Sequence, residues 1–246
     1  MSSYHEQISC RPADIDLAFW KKPTGVAIPD DELSFLLVPD AVEALAVGEV
    51  AQQVHEFQRA NSQDGDPITH ALMATMGGML PGILFYDHLA QGNPAGTDPM
   101  AFGTIGVALY KGPNERFDAP EVKQEISLDI KGGNVLVIDD LGDRGGTLKF
   151  LSQYIAEQGA SRVMTLALYM KPMAMEVCPA DFSFGEVEQD TWIITPRERV
   201  ETLVKRLPVW KERGASEAEC RRRLCDLIGY PEAVVDQYLP QVYAGV

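Results

Sequence analysis

The chain has 246 residues, 46% of them hydrophobic, and a formal net charge of −15. That length allows one large domain with additions, or two small ones. The acidic balance argues against general nucleic-acid binding, and no apolar stretch reaches the length of a bilayer span, so no membrane association is expected.

Four cysteines, Cys10, Cys178, Cys220 and Cys225, are scattered without CxxC spacing. Neither a disulfide framework nor a zinc site is expected. The opening MSSYHEQISCRPADID has no basic start followed by an apolar run, which points to a cytoplasmic chain rather than a secreted one. Charge is uneven: residues 196–223 hold nine Lys/Arg against five Asp/Glu, while the preceding body is strongly acidic. A polyphosphate ligand on that body needs a divalent cation or backbone N–H donors to offset the repulsion.

In chain order, residues 1–48 are punctuated by Pro12, Pro23, Pro29 and Pro39 and read as an N-terminal extension. Within them Leu33 to Val38 is a predicted strand, and Asp40 caps a short helix. Trp20, Lys21 and Lys22 read as a packed aromatic beside a solvated charge pair. A second helix is predicted over Glu49–Arg59, with Val50, Val54 and Phe57 on one face. Ile68 to Ala74 is a strand, and His70 within it reads as a core histidine. Met76, Gly77 and Gly78 then form a glycine turn ahead of an apolar helix, a candidate anion cradle of backbone N–H groups. Thr104 to Tyr110 is a strand. Lys111 to Lys123 is polar and turn-rich, a candidate mobile loop.

The stretch that organises the chain is Asn134 to Leu148, NVLVIDDLGDRGGTL. An apolar run long enough for one buried strand ends in Asp139 and Asp140. Gly142, Asp143, Arg144, Gly145, Gly146 and Thr147 follow, and then a helical pattern of Leu148, Leu151 and Ile155. Glycines at a strand-to-helix turn let the backbone approach a ligand, and the helix N-terminus favours an anion. Carboxylates at the strand end repel phosphate, so they suit sugar hydroxyls or a cation. No Gly-Lys-Ser/Thr follows, so this is not a Walker loop.

Four hydrophobics, two acids, two residues, Asp, one residue and Gly-Gly-Thr is a pattern that resembles the ribose-phosphate signature of type I phosphoribosyltransferases. Gly77-Gly78-x-x-Pro81-Gly82 is similar to the pyrophosphate loop of the bacterial xanthine-guanine members. Lys171-Pro172, followed by Asp190-Thr191-Trp192-Ile193 and then Pro196, looks like their purine-binding hood.

The resemblance covers roughly residues 50–198 and implies the following roles. Asp143 is the catalytic base. Asp139, Asp140, Gly142, Arg144, Gly145, Gly146 and Thr147 bind phosphoribosyl pyrophosphate (PRPP), and Met76, Gly77 and Gly78 receive pyrophosphate. Lys171, Trp192 and Ile193 bind the base, Tyr110, Lys111 and Arg116 lie on the flexible loop, and Asp139, Asp140 and Glu198 serve Mg²⁺. It also implies a homodimer acting on PRPP and a 6-oxopurine.

Three positions depart from the family pattern. Met76 stands where an Arg is usual, Arg144 where a Thr or Ser is usual, and Glu198 where an Asp is usual. The two in the phosphate loops, Met76 and Arg144, keep two alternatives open: a ligand-binding regulator without turnover, and a transferase with a changed base or sugar-phosphate donor.

The tail reads as a helical piece. One helix runs over Val200–Trp210 and ends near Pro208. A second is opened by a Ser216/Glu219 capping box and closed at Gly229, and a last one runs from Pro231 through Tyr238. Arg221, Arg222 and Arg223 read as a solvated face. The expected fold is a parallel α/β sheet with helices on both faces, a small hood and a C-terminal helical extension. It divides as 1–48, 49–198 and 199–246.

Overall fold

A computed structural model of the chain describes residues 3–62, 66–93, 98–112 and 115–245, with the side chains of 109–119 outside the description. Its helices are α1 (Tyr4–Ser9), α2 (Leu17–Lys21), α3 (Asp40–Asn61), α4 (Met79–Tyr86), α5 (Gly146–Glu157), α6 (Pro172–Val177), α7 (Arg199–Glu212), α8 (Glu217–Arg222) and α9 (Glu232–Ala244). Its strands are β1 (Val26–Ala27), β2 (Ser34–Leu37), β3 (His70–Thr75), β4 (Ala101–Gly112), β5 (Glu115–Gln124), β6 (Asn134–Gly142), β7 (Arg162–Met170), β8 (Phe182–Glu186) and β9 (Thr191–Ile194).

The chain forms two compact units, residues 44–189 and residues 1–43 with 190–246. This differs from the expected division into three consecutive pieces. The reason is strand pairing: β2 lies parallel to β9, with Phe35 opposite Trp192 and Leu37 opposite Ile194. The N-terminal segment, the DTWI strand and the helical tail therefore share one core, built on Phe35, Leu37, Ile194, Leu203, Leu207, Trp210 and Leu224.

In the unit 44–189, six strands run in the order β5-β4-β3-β6-β7-β8. All neighbours are parallel except the β4–β5 pair. Strand β6 is buried along nearly its whole length, as expected of a strand inside a parallel sheet covered on both faces. Leu72, Ile105, Val135 and Val137 pack with Leu151 and Ile155 of α5. After β3 the chain moves to one side of the sheet, and from β6 it moves to the other. The carboxyl ends of β3 and β6 are thus the topological switch point, where such sheets open a crevice for ligands.

Several local expectations change. The two helices predicted around Gly48 are one helix, α3. A mid-helix glycine costs about 1 kcal/mol, which is offset by the fully buried Val47, Val50, Ala51 and Val54. Helix α7 continues past Pro208 to Glu212 because Leu207 and Trp210 are anchored in the core. Ser216 caps α8 through the Glu219 N–H, but the Glu219 carboxylate pairs with Arg222 and Arg223 instead of closing a box. Arg223 is not on a solvated face: it is buried, with its guanidinium 5.5 Å from the Trp210 ring centre. His70 is partly exposed and bonded to Thr69 Oγ1 rather than held in the core. The last helix runs to Ala244. Among the described residues no helix is long and apolar enough to cross a membrane.

Candidate active site

Asp139 and Asp140 occupy the carboxyl end of β6 and are each 8% exposed. The Asp140 N–H donates to Asp139 Oδ1 at 3.0 Å, which fixes the first carboxylate. The turn after β3 lies against this pair. A Cβ placed on Gly77 would sit 2.5 Å from Asp139 Oδ1 and 2.6 Å from Asp140 Oδ1, and one on Gly78 would collide with the Ile138 carbonyl. Only glycines let the two loops approach this closely. Met76, just before them, is 72% exposed.

The turn after β6 has the features of an anion cradle. Gly145 adopts φ +75° at the N-cap of α5 and carries no side chain to cap it. The first N–H groups of a helix have no intrahelical acceptor. A Cβ on Gly146 would meet nothing within 4 Å, so the space above that helix end is open. Gly142 is packed against the Met170 side chain, Thr147 is half-buried and Arg144 is exposed to solvent.

Asp143 projects from the same turn with a half-exposed carboxylate. The buried Lys171 ammonium lies 2.8 Å from its Oδ1. Lys171 follows β7 directly and is the N-cap of α6, and its N–H donates to the Gly142 carbonyl at 2.8 Å. The two residues expected to serve as catalytic base and purine-binding lysine are therefore neighbours. Gln189 reinforces that corner: it accepts from the Met173 N–H at 3.1 Å and donates weakly to the Asp143 carbonyl at 3.4 Å. Sequence reasoning missed Gln189, because an isolated amide between two acids carries no periodic or motif signal.

In the other unit, Trp192 is half-buried on β9, and its indole N–H donates to Thr202 Oγ1 at 3.0 Å. Ile193 is 5% exposed, so its side chain belongs to the core and only its main chain remains for a ligand. Glu198 accepts from Arg197 at 3.0 Å and from the Thr195 hydroxyl at 3.3 Å. Among the described residues no three His, Cys, Asp or Glu side chains gather as a metal cage. Tyr110, Lys111 and Arg116 fall on the β4–β5 hairpin, where Tyr110 pairs with Arg116, and their side chains lie outside the described set.

No family model matches the chain. It is 25% identical over 153 residues to a hypoxanthine-guanine phosphoribosyltransferase from Mycobacterium tuberculosis, covering 62% of this chain and 71% of that one. It is 32% identical over 92 residues to a xanthine-guanine phosphoribosyltransferase from Idiomarina loihiensis, covering 37% of this chain and 52% of that one. Its fold matches the crystal structure of a purine phosphoribosyltransferase from Pyrococcus horikoshii with a TM-score of 0.50 at 21% identity, over 66% of this chain and 92% of that one. With the acid pair and glycine turns at the switch point of the sheet, the chain is similar in sequence to purine phosphoribosyltransferases and has the fold of one.

Proposed function

We propose that the protein is a purine phosphoribosyltransferase, moving ribose 5-phosphate from PRPP to a 6-oxopurine with release of pyrophosphate. The observation that carries this reading is the meeting of two glycine turns at the acid pair, with Gly77 packed directly on Asp139 and Asp140. Sugar hydroxyls donate to the two carboxylates. The 5-phosphate sits in the cradle from Gly142 to Thr147, where N–H groups and the α5 N-terminus offset its charge. The Met76–Gly78 turn receives pyrophosphate through its backbone.

The reaction forms a bond from purine N9 to ribose C1′ and breaks the bond from C1′ to the pyrophosphate oxygen. Asp143 takes the N7 proton as that bond forms. Lys171 is donor-only, so it favours a purine carrying a carbonyl at position 6 over one carrying an amino group.

Asp139 and Asp140 are hard oxygen donors and fit Mg²⁺, which takes one or two carboxylates and completes its shell from substrate oxygens and water. When bound it supplies charge neutralisation for the leaving pyrophosphate.

The test is ³¹P NMR of the protein with PRPP, Mg²⁺ and hypoxanthine, guanine or xanthine. Loss of PRPP with equal gains of pyrophosphate and nucleotide monophosphate is expected. A second reading, a PRPP-binding regulator, is favoured by Met76, an exposed apolar side chain in a phosphate-facing turn. PRPP that binds but stays intact with every base would establish that reading instead.

A further inference from the structure

We propose that Gln189 is a positioning residue for the pair Asp143 and Lys171: it caps helix α6 from a distant point of the chain, which leaves position 171 free to carry a cation for Asp143. The proposal rests on the transferase reading above, and all its residues lie in the unit 44–189.

A lysine is an unfavourable residue at the N-cap of a helix. Its side chain has donors only, and its charge opposes the positive end of the helix dipole. Lys171 makes no side-chain bond to the end of α6. Pro172 comes next and has no N–H, so the Met173 N–H is the first donor of the helix without an intrahelical acceptor. Gln189 Oε1 accepts it at 3.1 Å. The cap that position 171 cannot give is thus supplied from 16 residues away.

The other end of the same amide turns to the Asp143 loop, where Nε2 donates weakly to the Asp143 carbonyl at 3.4 Å. Lys171 Nζ donates to Asp143 Oδ1 at 2.8 Å, and the Lys171 N–H donates to the Gly142 carbonyl at 2.8 Å. The contacts close a ring: Asp143, Gln189, the first turn of α6, Lys171 and Asp143 again. Gln189 is itself anchored through the chain before it. The Val187 N–H donates to the Met170 carbonyl at 3.0 Å, and the Val187 side chain is 2% exposed. Without the amide, the first turn of α6 is free to fray and Lys171 moves with it. The carboxylate that Lys171 holds then leaves hydrogen-bond reach of the purine N7 proton, which proton transfer requires.

The experiment is steady-state kinetics on the full chain with PRPP, Mg²⁺ and the best-used of hypoxanthine, guanine and xanthine, alongside thermal melts. Gln189→Met keeps the length and removes both polar ends. It is expected to lower kcat roughly ten- to a hundredfold, with the PRPP KM little changed. Gln189→Glu keeps the acceptor for the Met173 N–H and loses the donor to Asp143, so it should recover part of the loss. In an Asp143→Asn background the proton acceptor is already gone, and Gln189→Met should lower kcat no further.

Wild-type kcat in folded Gln189→Met would overturn the proposal while leaving the transferase reading intact. A further fall in the Asp143→Asn background, or equal losses in kcat and PRPP KM, would show general loosening and overturn it as well. Where Gln189→Met does not fold, Gln189→Glu decides: reduced kcat with an unchanged PRPP KM supports the ring, and wild-type kcat overturns it. A wild-type protein that transfers to no base would end the transferase reading, and this proposal with it.

Discussion

The Lys171 ammonium and an Asp143 carboxylate oxygen lie 2.8 Å apart, with the lysine buried and the aspartate half-exposed. This places the group read as the purine O6 donor directly beside the group read as the N7 base. Asp143→Asn preserves shape and an acceptor for Lys171, but removes the proton acceptor. We expect kcat to fall roughly 10²- to 10⁴-fold with the circular-dichroism spectrum unchanged. Near-full turnover in a folded variant would remove Asp143 from the role of base.

Gly77→Ala should disable the site through sterics alone. Its Cβ would lie within 2.6 Å of an oxygen of each acid, where no real Cβ contact sits, so a loop or the carboxylates must move. A displacement on the order of 1 Å costs about 10²-fold in kcat/KM. Gly146→Ala is the matched contrast, since its Cβ meets nothing and the helix gains a better former. Thermal melts should show Gly146→Ala at least as stable as wild type. Kinetics on Gly77→Ala should show the loss.

The two cation changes in the phosphate turns predict opposite kinetic shifts. Met76 is open to solvent, so Met76→Arg gains room for a charge-assisted contact to pyrophosphate. The PRPP KM is expected to fall several-fold, by about the worth of one charged hydrogen bond. Arg144 is exposed at the turn proposed to hold the 5-phosphate, and Arg144→Ala should raise the PRPP KM. Both shifts should shrink at high salt. A fall in PRPP KM on removing Arg144 would mean that the arginine crowds the pocket.

The acid limb of stability should report on Asp31. Burial works against its charge, but hydrogen bonds from Arg206, Trp210 and the Leu33 N–H, with the Arg206 charge, outweigh burial and lower its pKa. A carboxylate held below its ordinary value in the folded state contributes stability that is fully present above the unfolded pKa of about 3.9. That contribution is lost as pH falls through the folded value. Asp31→Asn leaves Arg206 buried without its counter-charge, which typically costs about 3–5 kcal/mol. Urea melts should show the full deficit near neutral pH and a shrinking one below pH ~4.

Much of this candidate site's local geometry is legible in the sequence, for a physical reason. The acid pair, the glycine turn and the strand before them are local in sequence, and each residue type has one conformational or chemical use there. The turn at Gly145 needs positive φ, and Gly77 needs the absence of a Cβ. What was missed depends on distant partners. Gln189 matters only because α6 and the Asp143 turn meet at it. The grouping of residues 1–43 with 190–246 depends on β2 pairing with β9, two strands too short to announce a partner. Arg223 was misread because its charge suggested water, while its stem and guanidinium cover Trp210.

Divalent-ion removal should separate the two readings of the acid pair. If Asp139 and Asp140 share a cation with the substrate, excess chelator should abolish turnover, and added Mg²⁺ should restore it. Chelator should leave the melting temperature unchanged, because among the described residues no protein-only cage exists for the ion to hold together. A melting temperature that falls with chelator would point to a structural ion.

The most direct test of the account is the ratio of kcat/KM for hypoxanthine over adenine, with PRPP and Mg²⁺ and with pyrophosphate release as the readout. Lys171, buried, donor-only and proposed to meet the purine 6-position, predicts a ratio of at least about 10², collapsing towards unity in Lys171→Met. Equal use of the two bases, or pyrophosphate release with neither, would contradict it.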